Sequence, residues 1–184
     1  MRFVGLMIGL VAVAAFFAGC ASTPNPGDAA DRSLLHTQTQ MAIADFEARD
    51  PSIKHFFQTA HAYAVFPEVV TGAAILGGAH GDGEVYQSGK MIGYADVSQG
   101  SIGAQLGGQR YAEVVFFQNE GTFVDFKYGA TEIDARATAI AAASGAAATA
   151  DYRHGVLVFT LPQSGLMAQA AVGVQKFRFL ASAQ

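Results

Sequence analysis

The stretch Ala62-Tyr63-Ala64-Val65-Phe66-Pro67-Glu68-Val69-Val70, with glycines following at positions 72, 77, 78, 81 and 83, decides how this chain folds. Before it, apolar residues recur at helical spacing; after it, short apolar runs alternate with glycine and read as strands. Upstream, Leu34, Leu35, Met41, Ala42 and Phe46 share one broad stripe, which predicts a helix over residues 31–49. Asp50-Pro51 ends it and starts another, because a proline at the first helical position forfeits only an N–H that has no helical partner. In the second helix Ile53, Phe56, Phe57 and Ala60 keep the i, i+3, i+4, i+7 pattern of an apolar face.

Downstream, candidate strands cover residues 72–78, 83–87, 91–98, 101–108 and 112–118, with Ser88-Gly89 and Gln99-Gly100 as tight connectors. Residues 120–127 suit one or two helical turns. The alanine-rich segment 131–150 favours helix by propensity, but Ile133, Ala135, Ala137 and Ala139 alternate with polar residues, so its first half is expected to be a strand. A strand at 155–161, a turn at 162–165 and a final strand region at 166–180 complete the pattern. The expected class is α+β: N-terminal helices packed on a glycine-rich, mainly antiparallel sheet or barrel-like sheet.

The chain opens with Met1-Arg2, an apolar run over residues 3–17 and then Ala18-Gly19-Cys20. A run of about 15 residues makes a helix of only about 22 Å, short of a bilayer core of about 30 Å, so it reads as an export signal rather than a span. Cys20 is the sole cysteine and cannot pair internally. Its place after two small residues resembles bacterial lipoprotein signals, which implies lipidation of Cys20 and, with Ala21 following, an outer-membrane destination. Phe17 stands where such signals usually carry leucine. The expected organisation is a signal over residues 1–19, a lipidated Cys20 and flexible tether over 20–31, and one folded domain over 32–184.

The formal charge of -4 argues against nucleic acid as a partner and against wholesale attraction to anionic lipid, leaving only a local patch for such contact.

The Ala62–Val70 stretch with its glycines, the segment Gly100-Ser101-Ile102-Gly103-Ala104-Gln105-Leu106-Gly107-Gly108-Gln109 and the closing Tyr152-Arg153-His154-Gly155-Val156-Leu157-Val158-Phe159 with Gly173 before Lys176-Phe177 together resemble the SYLF family of lipid-binding domains. The resemblance runs from the second helix to the C-terminus. It implies binding of membrane lipids, phosphoinositides in eukaryotic members, through a basic amphipathic N-terminal helix, and no enzymatic activity or cofactor. Here that helix region offers only Arg49, Lys54, His55 and His61 beside Asp45, Glu47 and Asp50, which argues against phosphoinositide specificity.

A lipid site needs an apolar face for the acyl boundary and cations for phosphates. Candidates for the first are Ile53, Phe56 and Phe57, and for the second Arg49, Lys54 and His55. The competing expectation is that this apolar face packs on the sheet, as most amphipathic helices do. The glycines from 77 to 83 invite a phosphate-loop reading, but no Gly-Lys-Ser/Thr follows, so tight turns and close strand packing are expected. Scattered histidines and a single cysteine argue against a metal centre, and Ser101 lacks a Gly-x-Ser-x-Gly setting. The leading expectation is an envelope lipoprotein that binds membrane lipids; the alternative is an adapter lipoprotein that binds an envelope protein or peptidoglycan.

Overall fold

A computed structural model of the protein describes residues 29–71, 76–102, 109–129, 132–134, 139–141, 143–164 and 174–182. Helix α1 (Ala29–Arg49) leads through a short 3₁₀ turn (Pro51–Ile53) into α2 (Lys54–Thr59). Asp50 is the N-cap expected from the sequence, its carboxylate accepting from the Ser52 N–H at 3.1 Å. Six long strands follow: β1 (Ala62–Thr71), β2 (Leu76–Gln87), β3 (Lys90–Ile102), β4 (Gln109–Phe117), β7 (Val156–Ser164) and β8 (Val174–Ala181). Helix α3 (Glu120–Lys127) and two three-residue edge strands, β5 (Glu132–Asp134) and β6 (Ala139–Ala141), lie between β4 and β7. The strands form one sheet in the order β5-β8-β3-β2-β1-β4-β7-β6, antiparallel throughout except for β6 against β7. The α+β class is as expected, and the sheet is open, with β5 and β6 at its two edges.

Several expected breaks are absent. Gln99-Gly100 lies inside β3, and Pro162 lies inside β7 rather than in a turn. Strand β1 runs through Pro67, where its pairing with β2 shifts between Val65 and Val70, and with β4 between Phe66 and Val69. A proline has no N–H to give the ladder, and a local bulge removes the demand for one. The expected turn at Ser88-Gly89 is present, Ser88 and Gly89 both having positive φ. The alanine-rich stretch contributes two short strands, with residues 131, 135–138 and 142 outside the described residues.

The glycines of β2 and β3 shape the sheet. A Cβ on Gly83 would stand 2.5 Å from the Val65 carbonyl oxygen and 2.6 Å from the Phe66 ring. One on Gly93 would stand 2.5 Å from the Leu180 carbonyl oxygen and 2.7 Å from the Phe179 ring. Small residues here let aromatic rings from other strands close over the inner face, as expected of glycines in close strand packing. The curl is strong enough for Gln175 on β8 to hydrogen bond Glu113 on β4, although β3, β2 and β1 lie between them in the sheet.

Two cores result. The inner one joins Phe66, Val97, Val115, Phe117 and Phe177 with Phe123 and Phe126 of α3. The outer one joins Ala42 and Phe46 of α1, Ile53 and Phe56 with Tyr63, Val65, Val114, Phe116 and Phe159 of the sheet.

Candidate functional site

Helix α1 crosses the outer face of the sheet. Near its start Arg32 lies over the Tyr94 ring of β3, 5.5 Å from its centroid. One turn on, His36 Nδ1 is 3.1 Å from Glu84 of β2, and Gln40 donates to the Tyr86 hydroxyl at 3.0 Å. Tyr86 in turn donates to the same Glu84 oxygen at 2.6 Å, so a buried carboxylate receives hydrogen bonds from the helix and from its own strand. Tyr86 also stacks on Tyr63, ring centroids 5.0 Å apart. Burial and the hydrogen bond to Glu84 together drive the Tyr86 phenol far above its ordinary range, which fixes it as a donor. Thr39, Ala42 and Phe46 complete the buried stripe that seats the helix.

The opposite edge of α1 is open. Asp31, Arg32, Leu34, Leu35 and Gln38 line one side of a cleft of about 300 Å³, and Pro67, Glu68, Val70, His80, Gly81 and Asp82 line the other. Leu34 is 57% exposed, Met41, two turns further on, 62%, and Val70 across the cleft 39%. The helical period puts Leu34, Met41, Asp45 and Arg49 along the same side. A second, more open depression follows there, where Asp45, Ala48 and Arg49 face Ala143, Ser144, Leu161, Pro162 and Gln163. The result is an exposed edge on which Leu34 and Met41 stand among Gln38, Asp45 and Arg49, with Arg32 near its start.

The sequence candidates divide between surface and interior. Arg49, Lys54 and His55 are exposed at the corner between α1 and α2, and the Lys54 ammonium is 3.4 Å from Glu47. Ile53 and Phe56 are buried; Phe56 meets Phe116, Phe159 and Tyr152 at ring-centroid distances of 5.7, 5.9 and 5.7 Å. Phe57 is half-buried against Tyr63 and Phe116. The apolar face of α2 therefore packs on the sheet, the second of the two expectations for it, with Phe57 left half-buried. Cys20 lies outside the described residues. The exposed apolar pair on α1, Leu34 and Met41, belongs to the stripe that predicted the helix, whose other members Ala42 and Phe46 are buried.

Asp82 and Asp96 face one another across the β2–β3 ladder, with His80 3.8 Å from Asp82 and Arg178 donating to Asp96 at 2.8 Å. Burial raises the Asp82 carboxyl above its ordinary range; His80 opposes this, Asp96 adds to it and Arg178 opposes it. Among the described residues no three histidine, cysteine or carboxylate side chains stand close enough to hold a metal ion, and Glu84 is committed to the tyrosine and histidine contacts. No described helix is long and apolar enough to cross a membrane.

No family model matches the chain. It is similar to a protein named "Beta cell expansion factor A" from Aeromonas veronii, with 26% identity over 156 residues. The aligned region is 83% of this chain and 59% of the relative, so the chain spans about three fifths of that protein's length.

Proposed function

We propose that this protein is an envelope lipoprotein, held by an acylated Cys20, whose SYLF-like domain binds membrane lipid along the open edge of α1. The observation that carries the reading is the set of exposed apolar side chains, Leu34 and Met41 on α1 and Val70 on β1, beside a helix that seats Thr39, Ala42 and Phe46 on the sheet. A well-packed domain rarely leaves large apolar residues grouped beside a cleft without a use for them. The tether adds proximity: the chain from Cys20 to Ala29 reaches at most about 30 Å when extended. An anchor at Cys20 thus keeps the start of α1 within that distance of the bilayer, and the effective concentration of lipid at the cleft is high.

The cations have a supporting part. Arg49 ends the apolar edge and Lys54 follows at the corner, where each can meet a lipid phosphate at about 1 kcal/mol near an anionic surface. Lys54 contributes less than Arg49 because Glu47 already faces it. Asp31, Glu68 and Asp82 at the cleft rim work against anionic head groups, so the apolar edge supplies most of the affinity.

Flotation of the unacylated domain, residues 21–184, with phospholipid vesicles tests this. Binding is expected, and Leu34→Ser with Met41→Ser is expected to abolish most of it while the thermal midpoint stays put. Failure of the unmodified domain to float under any lipid composition would refute the lipid reading and leave the adapter alternative, in which lipid serves only as the anchor.

A further inference from the structure

Glu113 lies in the middle of β4 and points into the inner core, where it is fully buried. One oxygen, Oε2, accepts from Gln175 Nε2 of β8 at 2.9 Å. The other, Oε1, has no partner, and neither has the Gln175 carbonyl oxygen Oε1. Two acceptors on the same pair of side chains are thus each short of a donor, in a setting where one unsatisfied buried acceptor costs about 1–3 kcal/mol.

We propose that Glu113 is held as a neutral carboxylic acid whose proton, on Oε1, is donated to Gln175 Oε1, closing a two-hydrogen-bond acid–amide ring that latches β8 to β4 across the inner face. One proton satisfies both orphaned oxygens and removes the Glu113 charge from this core. Among the described residues neither the Thr160 hydroxyl, in register on β7, nor the Tyr111 phenol, which contacts Gln175, is hydrogen bonded to either orphaned oxygen. Around Glu113, β1 presents Phe66 and β7 presents Thr160 in register, β8 adds Phe177, and α3 closes the core with Phe123 and Phe126. Strands β2 and β3 contribute Ala79, Val85, Ala95 and Val97. Lys176 and Arg178 alternate to the exposed side of β8. Tyr111 also faces this core, its phenol pushed up by burial and then by Glu113, with a Gln175 hydrogen bond pulling the other way; His61 and Lys127 reach it only at the Phe123 ring. Independently of that geometry, burial pushes the Glu113 carboxyl from 4.5 up to about 7, the Gln175 hydrogen bond opposing.

The latch is a pH-sensitive device. Because the folded pKa is raised, its stabilisation is complete below the unfolded value near 4.5, declines as pH rises, and is gone once pH exceeds about 7. Above that, a carboxylate faces the carbonyl of Gln175 and the β8 edge of the curl loosens. Strand β8 also carries β5, so the whole edge follows it.

Infrared spectroscopy of the full-length protein in deuterated buffer decides the protonation state. A protonated-carboxyl carbonyl band is expected at about pH 6, fading at higher pH, absent from Glu113→Gln and shifted in Gln175→Leu. The Glu113→Gln amide can donate to Gln175 without titrating. Its unfolding equilibrium constant is therefore expected to escape the rise of up to about tenfold per pH unit that Glu113 adds in the wild type between its two pKa values. Absence of the band from wild-type protein, or identical pH slopes in wild type and Glu113→Gln, overturns the proposal. Should Glu113→Gln not fold, the wild-type band and its titration decide alone.

Discussion

Asp50 and Glu113 are both buried carboxyls, one under each face of the sheet, and the chain surrounds them in opposite ways. Asp50 sits where α1 turns into α2 and receives the Ser52 N–H at 3.1 Å, the Ser52 hydroxyl at 2.6 Å and the Ala147 N–H at 2.7 Å. Burial raises its carboxyl, but donors from Ala147, Ser52 and Gly145 outweigh it, and the net shift is downward. Glu113 has burial with a single donor, and its shift is upward. Burial alone does not settle the charge of a carboxyl; the count of N–H and O–H groups aimed at it does. The outer face, where helices cross a sheet and backbone donors are free at their ends, can hold an anion. The inner face, whose backbone groups are consumed by the ladder, favours the neutral acid.

The two faces should differ in how they fail. The largest expected loss is on the inner face, from Phe126→Ala. That ring is fully buried and meets Phe117, Phe123 and Phe177 at 4.6, 6.0 and 5.5 Å. Removing it should lower unfolding free energy by about 3–5 kcal/mol, since the rigid strands around it cannot collapse into the hole. Urea denaturation measures this; a loss under about 1 kcal/mol would mean that α3 is not part of the cooperative core.

How far the sequence reveals this division depends on the kind of residue. Helical spacing at Leu34, Met41, Ala42 and Phe46 identified α1, and Asp50-Pro51 marked its end correctly, because capping is decided within a few residues. Strand lengths were less legible. The expected strands 72–78 and 83–87 are separated by a gap that contains Gly81, yet β2 runs unbroken from Leu76 to Gln87. The role of the strand glycines comes from other strands that require the space, the Glu68 carbonyl and Val69 at Gly81, the Phe66 ring at Gly83 and the Phe179 ring at Gly93, and a local reading cannot see those. The same holds at the candidate site. Phe56 and Leu34 are both apolar members of amphipathic stripes, but the structure buries one and exposes the other. Which side of a stripe meets the sheet is fixed by the crossing of α1 over β2, a long-range fact. The Glu113–Gln175 pair, 62 positions apart, had no sequence signal beyond an acid within an apolar run.

A smaller effect, opposite in pH dependence, is expected on the outer face. Asp50→Ala removes an N-cap and leaves the Ala147 N–H without its partner, at a cost of about 1–2 kcal/mol near neutral pH. The sign follows from the lowered folded pKa: Asp50 stabilises the protein above the ordinary carboxyl value of 3.8, and this is lost as pH falls through the lower folded value. The difference between wild type and Asp50→Ala should therefore shrink on acidification, whereas that between wild type and Glu113→Gln changes between about 4.5 and 7. Thermal midpoints across an acid-to-neutral series measure both. Parallel curves for wild type and Asp50→Ala would show that the cap acts through shape and not charge.

The smallest expected effect belongs to the exposed corner, and it sharpens the lipid reading more than the fold. Arg49 and Lys54 are exposed, so replacing both with alanine should change stability by less than about 0.5 kcal/mol. Lys54 gives up its contact with Glu47, but an exposed pair of this kind contributes little. Vesicle affinity is the sensitive readout. On anionic vesicles at low salt the double variant should bind roughly fivefold more weakly, most of it from Arg49, since about 1 kcal/mol per cation is the ceiling and Glu47 offsets part of the Lys54 charge. The deficit should shrink as salt rises and vanish on neutral vesicles, while the loss caused by Leu34→Ser with Met41→Ser persists under all three conditions. Equal binding by wild type and the Arg49→Ala plus Lys54→Ala variant at low salt would remove the cations from the site and leave the apolar edge of α1 as its whole basis.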